Sequence, residues 1–470
     1  MFLFLTLFIH NIIIFYSKNS NNNEKLLFVW EHFRHGARGP YRSFDEKNWK
    51  DLLNEKWDGE GELSPLGMRM HYLLGVSTKE KYKNFLSEKY NPNEILIRST
   101  DVNRTIVSAF STLQGIYNSS TVDELTEKQI EKGNIQNCNK SELINKKIQD
   151  LGNKMIDKGN NLYPVHIYPT NYDHQFQIYR TEECPGIAKY IEEARDTDEL
   201  RQIFNETSTK INNTYGEYIF KFMNKSGIEE PYYLFDYSEL FSIADTFIAD
   251  YYNGRELKDV NETGINMEDF YNDCLNISFI ESYYRQFGTP VSKVLYIGVS
   301  PVFRTLFNYM DMRINLDKNG EPDKILSLSP RFVITAGHDS SLAANDLFLK
   351  AEFNISFERA EYSHSQYYEL WKNENNGKYF IKYLVNHELK AIFDYYEFKE
   401  KVLPKLYSSE EIDKICNEIS EPILLLENKI KRKKYNFKLL FLIFPLIAIL
   451  CFIYLSYEVF YNNRNKFKKL

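Results

Sequence analysis

Three short apolar runs, each followed by a polar turn and a helix-forming segment, constrain the fold of this chain more than any other feature. Residues 25–33 (KLLFVWEHF) lead into RHGARGP, residues 94–98 (EILIR) into STDVNRT, and residues 332–336 (FVITA) into GHDSS. Apolar runs of this length are typical of buried strands, and glycine and proline are typical of turns. The repeated order of strand, turn and helix predicts an α/β fold with a mainly parallel sheet flanked by helices.

Local signals predict where some of the elements begin and end. Ser64 can cap a helix whose first residue is Pro65, and Gly75 can end that helix. Residues 378–385 (KYFIKYLV) form a further apolar run and predict a last strand.

The stretch between the second and third units has a different character. From residue 120 to residue 284, polar and asparagine-rich connections separate amphipathic stretches. This pattern predicts a mostly helical cap that is inserted into the α/β core. The core would then consist of two parts, residues 24–119 and residues 285–420.

Two apolar segments frame the chain. The first, residues 2–16, predicts a signal peptide within residues 1–20, and an uncleaved N-terminal anchor is the alternative. The second, residues 439–457 (LLFLIFPLIAILCFIYLSY), carries no charge, and at about 1.5 Å per residue it approaches the ~30 Å of a bilayer core. It predicts one C-terminal transmembrane helix between a basic stem (residues 421–438) and a short cytoplasmic tail (residues 458–470).

These segments together predict a type I membrane protein whose catalytic region is lumenal or extracellular, in the lysosome, the endoplasmic reticulum or at the cell surface. The charges beside the span favour the opposite orientation, because residues 429–438 carry six Lys or Arg and the tail carries four. We give precedence to the signal peptide, since a large domain already committed to translocation overrides a modest charge bias.

Cysteines and glycosylation sequons fit an oxidising compartment. Four cysteines precede the predicted span, and their spacing leaves all three pairings open: Cys138, Cys184, Cys274 and Cys416. The chain also contains nine Asn-x-Ser/Thr sequons, which is consistent with a secreted glycoprotein surface.

The net charge of −7 argues against a nucleic-acid partner, because binding a phosphate backbone needs a broad basic face. Ligands of an open α/β sheet bind beyond the carboxyl ends of its strands. The polar residues at the ends of the three apolar runs and in the turns after them therefore predict a site for one small anion. They are Arg34, His35, Arg38, Arg98, His338 and Asp339.

These residue types suit the hydrolysis of a phosphate ester. Guanidinium groups bind phosphoryl oxygens bidentately and stay charged, so Arg34, Arg38 and Arg98 can share one phosphate group. Neighbouring positive charges lower the pKa of an imidazole, so His35 would stay neutral and nucleophilic. It can then attack phosphorus and form a covalent phosphohistidine.

The third unit supplies the remaining chemistry. His338 can donate to phosphoryl oxygens as charge develops on them, and Asp339 can protonate the leaving oxygen and later activate water. The scheme requires neither a metal nor a cofactor.

RHGARGP (residues 34–40) resembles the RHGxRxP signature of the histidine acid phosphatases, a branch of the histidine phosphatase superfamily. The segments GELSPLGMRMHYLLG, IRSTDVNRTIVSA and AGHD resemble that family's later blocks, and residues 362–385 resemble its closing hairpin. The resemblance covers residues 25–419 and is poor in the middle. It implies a phosphoglycerate mutase-like core with a helical cap, a nucleophile at His35, a general acid at Asp339 and an acidic pH optimum. It also implies that Arg34, Arg38, Arg98 and His338 form the phosphate pocket.

Alternatives remain for the substrate and for the function. The same site could serve inositol phosphates, which a strongly basic cap would favour, or lysophospholipid phosphates, which an apolar groove near the membrane would favour. A different class of function is a surface receptor or adhesion module on a catalytically retired scaffold. The expected partners are a small phosphomonoester, the membrane through the C-terminal helix and, as a further option, a second copy in a homodimer.

Overall fold

The protein is described here from a computed structural model. It describes residues 23–41, 59–117, 125–132, 142–154, 162–169, 173, 184–225, 237–254, 265–290, 292–320 and 330–417. The predicted signal peptide, stem, membrane span and tail lie outside these residues. Among the helices that are described, none is both long and apolar enough to cross a membrane.

Most of the strands lie in the first and last parts of the described chain, and helices predominate between them. The strands are β1 (Glu24–Arg34), β2 (Ile95–Ser99), β3 (His166–Ile167), β4 (Phe332–Gly337), β5 (Ser365–Asn373), β6 (Tyr379–Val385) and β7 (Glu388–Asp394). The helices are α1 (Pro65–Lys81), α2 (Asn103–Ile116), α3 (Glu127–Lys132), α4 (Glu142–Leu151), α5 (Ala188–Arg195), α6 (Asp198–Lys225), α7 (Tyr237–Tyr252), α8 (Met267–Ile280), α9 (Lys293–Asn319), α10 (Asp339–Phe353), α11 (Tyr395–Val402) and α12 (Ser409–Asn417).

The sheet is mixed, and the prediction of a mainly parallel sheet was wrong in this respect. Its strand order is β3-β2-β4-β1-β5-β6-β7, with β1 to β4 parallel and β5 to β7 antiparallel. The short connections at the chain's end explain the difference, because a short turn can join only antiparallel strands. Asn386 and His387 form the turn between β6 and β7, and both have positive φ angles, 48° and 68°, as the favoured two-residue hairpin turns require.

The parallel half of the sheet brings three strand ends to one edge. β4 lies between β2 and β1, and Arg34 at the end of β1 is in register with Gly337 at the end of β4. Ser99 at the end of β2 is in register with Ala336. The three turns that follow these strands therefore lie side by side.

Helices cover both faces of the sheet, so β1 is buried along most of its length. Phe28 and Trp30 pack on the face that α9 and α10 cover, whereas Val29 and Phe33 pack on the face that α1 and α2 cover. This alternation follows from the period of two residues in a strand. A strand that is covered on both faces reads as a continuous apolar run, as residues 25–33 do.

Helix α1 begins where the sequence predicts but does not end there. Ser64 caps it, since the Ser64 hydroxyl accepts a hydrogen bond from the Gly67 amide at 3.2 Å. Gly75 lies inside the helix, where α1 meets α2. A Cβ atom at Gly75 would lie 2.0 Å from the carbonyl oxygen of Thr112, so the glycine permits close packing of the two helices.

Between α2 and α9 the described segments are helical apart from β3. Helices α6, α7 and α8 share an apolar cluster that includes Phe247 and Phe270. The same cluster contains Ala37, from the loop after β1, and Tyr362, from the loop before β5. These inserted helices therefore rest against the strand ends, while the domain boundaries at residues 120 and 284 stay a prediction.

One disulfide joins distant parts of the chain. Cys184, which precedes α5, is bonded to Cys416 in α12, 232 residues away. This is one of the pairings that the sequence left open. Cys274 is a buried free cysteine, and Cys138 lies outside the described residues.

Candidate active site

The backbone of the RHG segment is fixed by the elements around it. The Arg34 amide donates to the His364 carbonyl at 2.9 Å, and the His35 amide donates to the Gly337 carbonyl at 3.1 Å. The His35 carbonyl accepts from the Ser363 amide at 3.1 Å. Residues from β4 and from the loop before β5 therefore hold His35 in place before any ligand binds.

The glycine after His35 is required by close packing against α1. A Cβ atom at Gly36 would lie 2.5 Å from the carbonyl oxygen of Gly67. The Gly36 amide donates to the Ser108 hydroxyl of α2 at 3.2 Å. The loop therefore passes close to α1 and α2, which explains why the motif needs glycine there.

The His35 side chain is held in the tautomer that a nucleophile needs. Its Nδ1 atom lies 2.9 Å from the Gly36 carbonyl oxygen, and the ring is 2% exposed. A carbonyl can only accept, so Nδ1 carries the proton and Nε2 carries the lone pair. Burial is the largest cause that lowers the pKa of His35 well below its usual value, and the charges of Arg104, Arg34 and Arg38 add to it.

Arg34 and Asp339 form an ion pair. A terminal nitrogen of Arg34 lies 2.9 Å from Asp339 Oδ2, and its other terminal nitrogen donates to the Ala360 carbonyl at 2.7 Å. The guanidinium also lies 4.5 Å from the centre of the Tyr362 ring, within the range of a cation–π contact.

Asp339 occupies the first turn of α10, where the helix dipole favours a carboxylate. Its Oδ1 atom accepts from the Ser340 amide at 2.9 Å. Burial acts to raise the pKa of Asp339, but the charges of Arg34 and Arg38 outweigh it, so the net shift is downward. Asp339 is therefore ionised in the free site.

Arg38 is bound by a carboxylate that the sequence analysis missed. Its two terminal nitrogens donate to Asp245 of α7 at 2.7 and 3.1 Å, which is a bidentate pair. Asp245 also accepts from the Tyr41 amide at 2.8 Å. An acid within the apolar stretch FSIADTFIADYY is the one signal in the sequence that could have identified it.

Arg98 is engaged differently from the prediction. Its guanidinium donates to buried Asp173 at 2.9 Å and lies 4.0 Å from the centre of the Tyr168 ring. Arg98 is not among the charged residues that lower the pKa of His35, which are Arg104, Arg34, Arg38 and His338. The structure therefore gives Arg98 a pairing role beside β3, and the prediction that it lies among those groups needs correction.

Arg104 supplies the positive charge that was expected from Arg98. It lies in the first turn of α2, and it is the first of the charged residues that lower the pKa of His35. One of its terminal nitrogens is 3.4 Å from His338 Nδ1. The segment RSTDVNRT contains both arginines, and the second follows the loop, as a residue of the strand-end edge should.

His338 lies at the N-cap of α10, with its ring centre 5.6 Å from that of His35. Its Nε2 atom is 3.1 Å from the Thr100 hydroxyl oxygen. The Ser341 hydroxyl accepts from the His338 amide at 3.1 Å and donates to the His338 carbonyl at 2.7 Å. These contacts hold His338 beside the His35 ring.

The cluster is built to receive an anion. Its three guanidinium groups and two carboxylates leave one net positive charge in a largely buried site. Each guanidinium also has an Nε atom that is buried and has no hydrogen-bond partner among the described residues: those of Arg34, Arg38 and Arg104. Buried donors without acceptors are rare in folded proteins, so a ligand rich in acceptors fits this site.

Comparisons with known proteins agree with these observations. A family model described as "Histidine phosphatase superfamily (branch 2)" matches residues 16–386. Lysosomal acid phosphatase of Xenopus laevis is 27% identical over 385 residues, which cover 80% of this chain and 73% of that protein. Prostatic acid phosphatase of Homo sapiens is 38% identical over 107 residues, which cover 23% of this chain and 27% of that protein.

Solved structures share the fold. The phytase of Citrobacter braakii has a TM-score of 0.52 and 14% identity, covering 83% of this chain and 99% of its own. The Hafnia alvei phytase in complex with myo-inositol hexakis sulphate has a TM-score of 0.53 and 13% identity, covering 84% and 99%. At this level of identity the similarity concerns the fold alone.

Proposed function

Because the chain belongs to branch 2 of the histidine phosphatase superfamily, we propose that it is an acid phosphatase that works through a covalent phosphohistidine at His35. The family and its acid phosphatase relatives make the chain a phosphomonoester hydrolase. The observation that carries the mechanism is the lone pair of His35 Nε2, which lies in a positively charged pocket beside an acid.

The phosphoryl group would bind to the guanidinium groups of Arg34, Arg38 and Arg104 and to His338. We assign the third arginine role to Arg104, since Arg98 is held by Asp173. Phosphate must compete with Asp339 for Arg34, because the two residues are paired in the free site. Arginine binds phosphate bidentately as it binds carboxylate, so a phosphoryl group can take the place of Asp339 on Arg34.

This exchange prepares Asp339 to act as the acid. Once Arg34 turns to the phosphate, Asp339 loses a cation and gains a neighbouring anion, and both changes raise the pKa of its carboxyl group. A substrate that binds as the monoanion brings the proton that Asp339 needs. The acid form would therefore arise in the substrate complex rather than in the free site.

Two chemical steps follow. In the first, His35 Nε2 forms a bond to phosphorus while the ester P–O bond breaks, and Asp339 gives its proton to the leaving oxygen. In the second, water attacks phosphorus, the P–N bond breaks, and Asp339 accepts the proton of that water. Orthophosphate takes this proton from Asp339 and leaves as the monoanion, so both residues return to their starting forms.

The cap bears on the choice of substrate through Asp245. Asp245 belongs to the described part of the cap and contacts Arg38, one of the three arginines proposed to bind phosphate. The charge that the cap places at this arginine is therefore negative. A carboxylate there disfavours ligands that carry several phosphate groups, so a simple monoester fits better than an inositol polyphosphate. The presence of nucleophile, acid and arginines argues against the retired receptor or adhesion module.

We propose that the catalytic region acts on the non-cytosolic side of a membrane, anchored through residues 439–457. The disulfide between Cys184 and Cys416 supports an oxidising compartment, because such bonds are rare in the cytosol. Protease protection of intact vesicles tests the orientation, and resistance to carbonate extraction tests the anchor. Homodimer formation stays a prediction for size-exclusion chromatography.

Turnover of p-nitrophenyl phosphate by the purified full chain in detergent, between pH 4 and pH 7, tests the activity. We expect turnover that is strongest at the acidic end of this range and is abolished in His35→Ala. Undiminished turnover in His35→Ala would contradict the proposed nucleophile. Absence of turnover by the wild type would contradict the proposed activity.

A further inference from the structure

Tyr362 lies within the candidate site, although nothing in its sequence context marks it as functional. It is 5% exposed and belongs to the loop that precedes β5. Its ring lies 4.5 Å below the Arg34 guanidinium, 5.8 Å from the His35 ring and 4.9 Å from the ring of Tyr252. The Tyr362 ring therefore packs against His35 and Arg34.

The position of Tyr362 is fixed from both sides along the chain. Ala360 accepts a hydrogen bond from Arg34, and Ser363 donates its amide to the His35 carbonyl. Ser363 has a φ of 60°, an unusual backbone conformation for a residue other than glycine. Residues held in such conformations cluster at functional sites, where the surrounding contacts enforce them.

The phenol oxygen of Tyr362 is buried and has no hydrogen-bond partner among the residues that the structure describes. Leaving a buried hydroxyl unsatisfied destabilises a protein, so such groups are uncommon and call for an explanation. After burial, the largest influences on the pKa of this hydroxyl come from charged residues of the site: Arg38, Asp245, Arg34 and Asp339. The ring contacts with Arg34 and His35 place Tyr362 next to residues of the site, and the Nε atom of Arg34 is also unsatisfied.

The hydroxyl stays a donor at every pH at which the enzyme would work. Burial is the main cause that raises the pKa of Tyr362 above its usual value. A neutral phenol can donate one hydrogen bond, and a phosphoryl oxygen is a strong acceptor. Its donation would add to the contacts from the arginines without adding charge.

We propose that the Tyr362 hydroxyl donates a hydrogen bond to the phosphoryl group bound by the arginines, which makes Tyr362 a further catalytic residue. The inference rests on the proposed function, since it names an additional contact to the ligand of that site. Three observations carry it: the packing against Arg34 and His35, the unsatisfied buried oxygen, and the loop contacts that fix its place.

The test uses Tyr362→Phe in the full chain, because this change removes the oxygen and keeps the ring against Arg34. We expect kcat/KM for p-nitrophenyl phosphate to fall roughly ten- to a hundredfold, the usual effect of losing a hydrogen bond to a charged group. The dissociation constant for inorganic phosphate should rise by a similar factor. The melting temperature should stay the same or increase, since the free enzyme loses an unsatisfied group and no contact.

Tyr368→Phe is the matched control. Tyr368 is also buried, and its hydroxyl also has no hydrogen-bond partner within the described residues, but it lies in the core cluster with Trp30 and Phe303. Its variant should keep wild-type turnover and phosphate affinity. Equal losses in both variants would overturn the proposal, because they would reflect a general effect of removing buried hydroxyl groups.

Rates for two esters with different leaving groups distinguish a hydrogen bond to a non-bridging phosphoryl oxygen from a hydrogen bond to the ester oxygen. We expect Tyr362→Phe to lower kcat/KM for p-nitrophenyl phosphate and for phenyl phosphate by the same factor. Unchanged turnover and phosphate affinity in Tyr362→Phe, beside an active wild type and an inactive His35→Ala, would overturn this inference alone. A wild type that neither turns over substrate nor binds inorganic phosphate would overturn the proposed function as well.

Discussion

Asp339 Oδ2 lies 2.9 Å from a terminal nitrogen of Arg34, the residue that directly precedes the proposed nucleophile. This ion pair joins the turn after β1 to the turn after β4. It keeps Asp339 ionised in the free site and keeps Arg34 oriented for its ligand. Exchange of Asp339 for a phosphoryl oxygen on Arg34 would couple substrate binding to the appearance of the acid.

The role of Asp339 as proton donor predicts a dependence on the leaving group. Asp339→Asn should lower kcat for phenyl phosphate about 10²- to 10⁴-fold, the range for loss of a general acid. The loss for p-nitrophenyl phosphate should be much smaller at the phosphorylation step, because p-nitrophenolate leaves without a proton. Single-turnover measurements on both esters check this. Equal losses for the two esters would contradict the role of Asp339 as acid.

The two arginines of the second unit should respond differently to substitution. Arg104→Lys should lower kcat/KM about 10²- to 10³-fold, as the loss of a preorganised donor does, because lysine cannot reproduce the guanidinium fork. Arg98→Lys should reduce the melting temperature through its pair with Asp173 and change kcat/KM by less than about fivefold. Steady-state kinetics and thermal melts on both variants check the pair. A large loss of kcat/KM in Arg98→Lys beside a small loss in Arg104→Lys would indicate that Arg98, and not Arg104, binds the phosphoryl group.

Asp245 should limit the affinity of the site for anions. Asp245→Asn removes one negative charge beside Arg38 and raises the net charge of the cluster from one to two. The inhibition constant for inorganic phosphate should fall about tenfold, while the melting temperature without phosphate should also fall because Arg38 loses a charged partner. Product inhibition and thermal melts with and without phosphate test this. Phosphate affinity equal to that of the wild type would show that Asp245 does not tune the pocket.

Glu31 predicts how stability changes with pH. Burial raises the pKa of this glutamate in β1 from 4.5 to about 8. The folded state therefore holds a proton that the unfolded state releases above pH 4.5. The resulting stabilisation is complete below that pH and is lost as the pH rises toward 8.

Substitution of Glu31 should remove this loss. Between pH 5 and pH 7.5 the free energy of unfolding of Glu31→Gln should rise relative to that of the wild type by about 3 kcal/mol, at 1.36 kcal/mol per pH unit. Urea unfolding at both pH values measures it. Buried His32, whose pKa burial lowers to about 3, acts in the opposite direction but equally in both proteins. Parallel stability curves for the two proteins would contradict the assignment.

Much of the candidate site could be proposed from the sequence because its residues lie at or just after the ends of apolar runs. Arg34 and His35 come at the end of one run, and His338 and Asp339 come after another. Parallel strands end at a common edge, so residues far apart in the chain meet there. The start of α1 could also be predicted locally, because Ser64 is a capping residue that directly precedes Pro65.

The remaining features depend on packing that no local pattern contains. Asp245 reaches Arg38 across 207 residues because α7 rests on the loop after β1. The sequence predicts Arg98 as a phosphate ligand, but local patterns do not show that Arg98 pairs with Asp173 or that Arg104 lies 3.4 Å from His338. Gly75 predicts a helix end from the sequence, whereas in the structure it lies inside α1 and allows close packing against α2.

Covalent labelling tests the central claim most directly. The full-length wild type and His35→Ala would be mixed with ³²P-labelled phenyl phosphate, quenched within milliseconds and digested. The account predicts an acid-labile, alkali-stable label on the peptide that contains His35, and none in His35→Ala. No label on an active wild type, or a label that persists in His35→Ala, would contradict it.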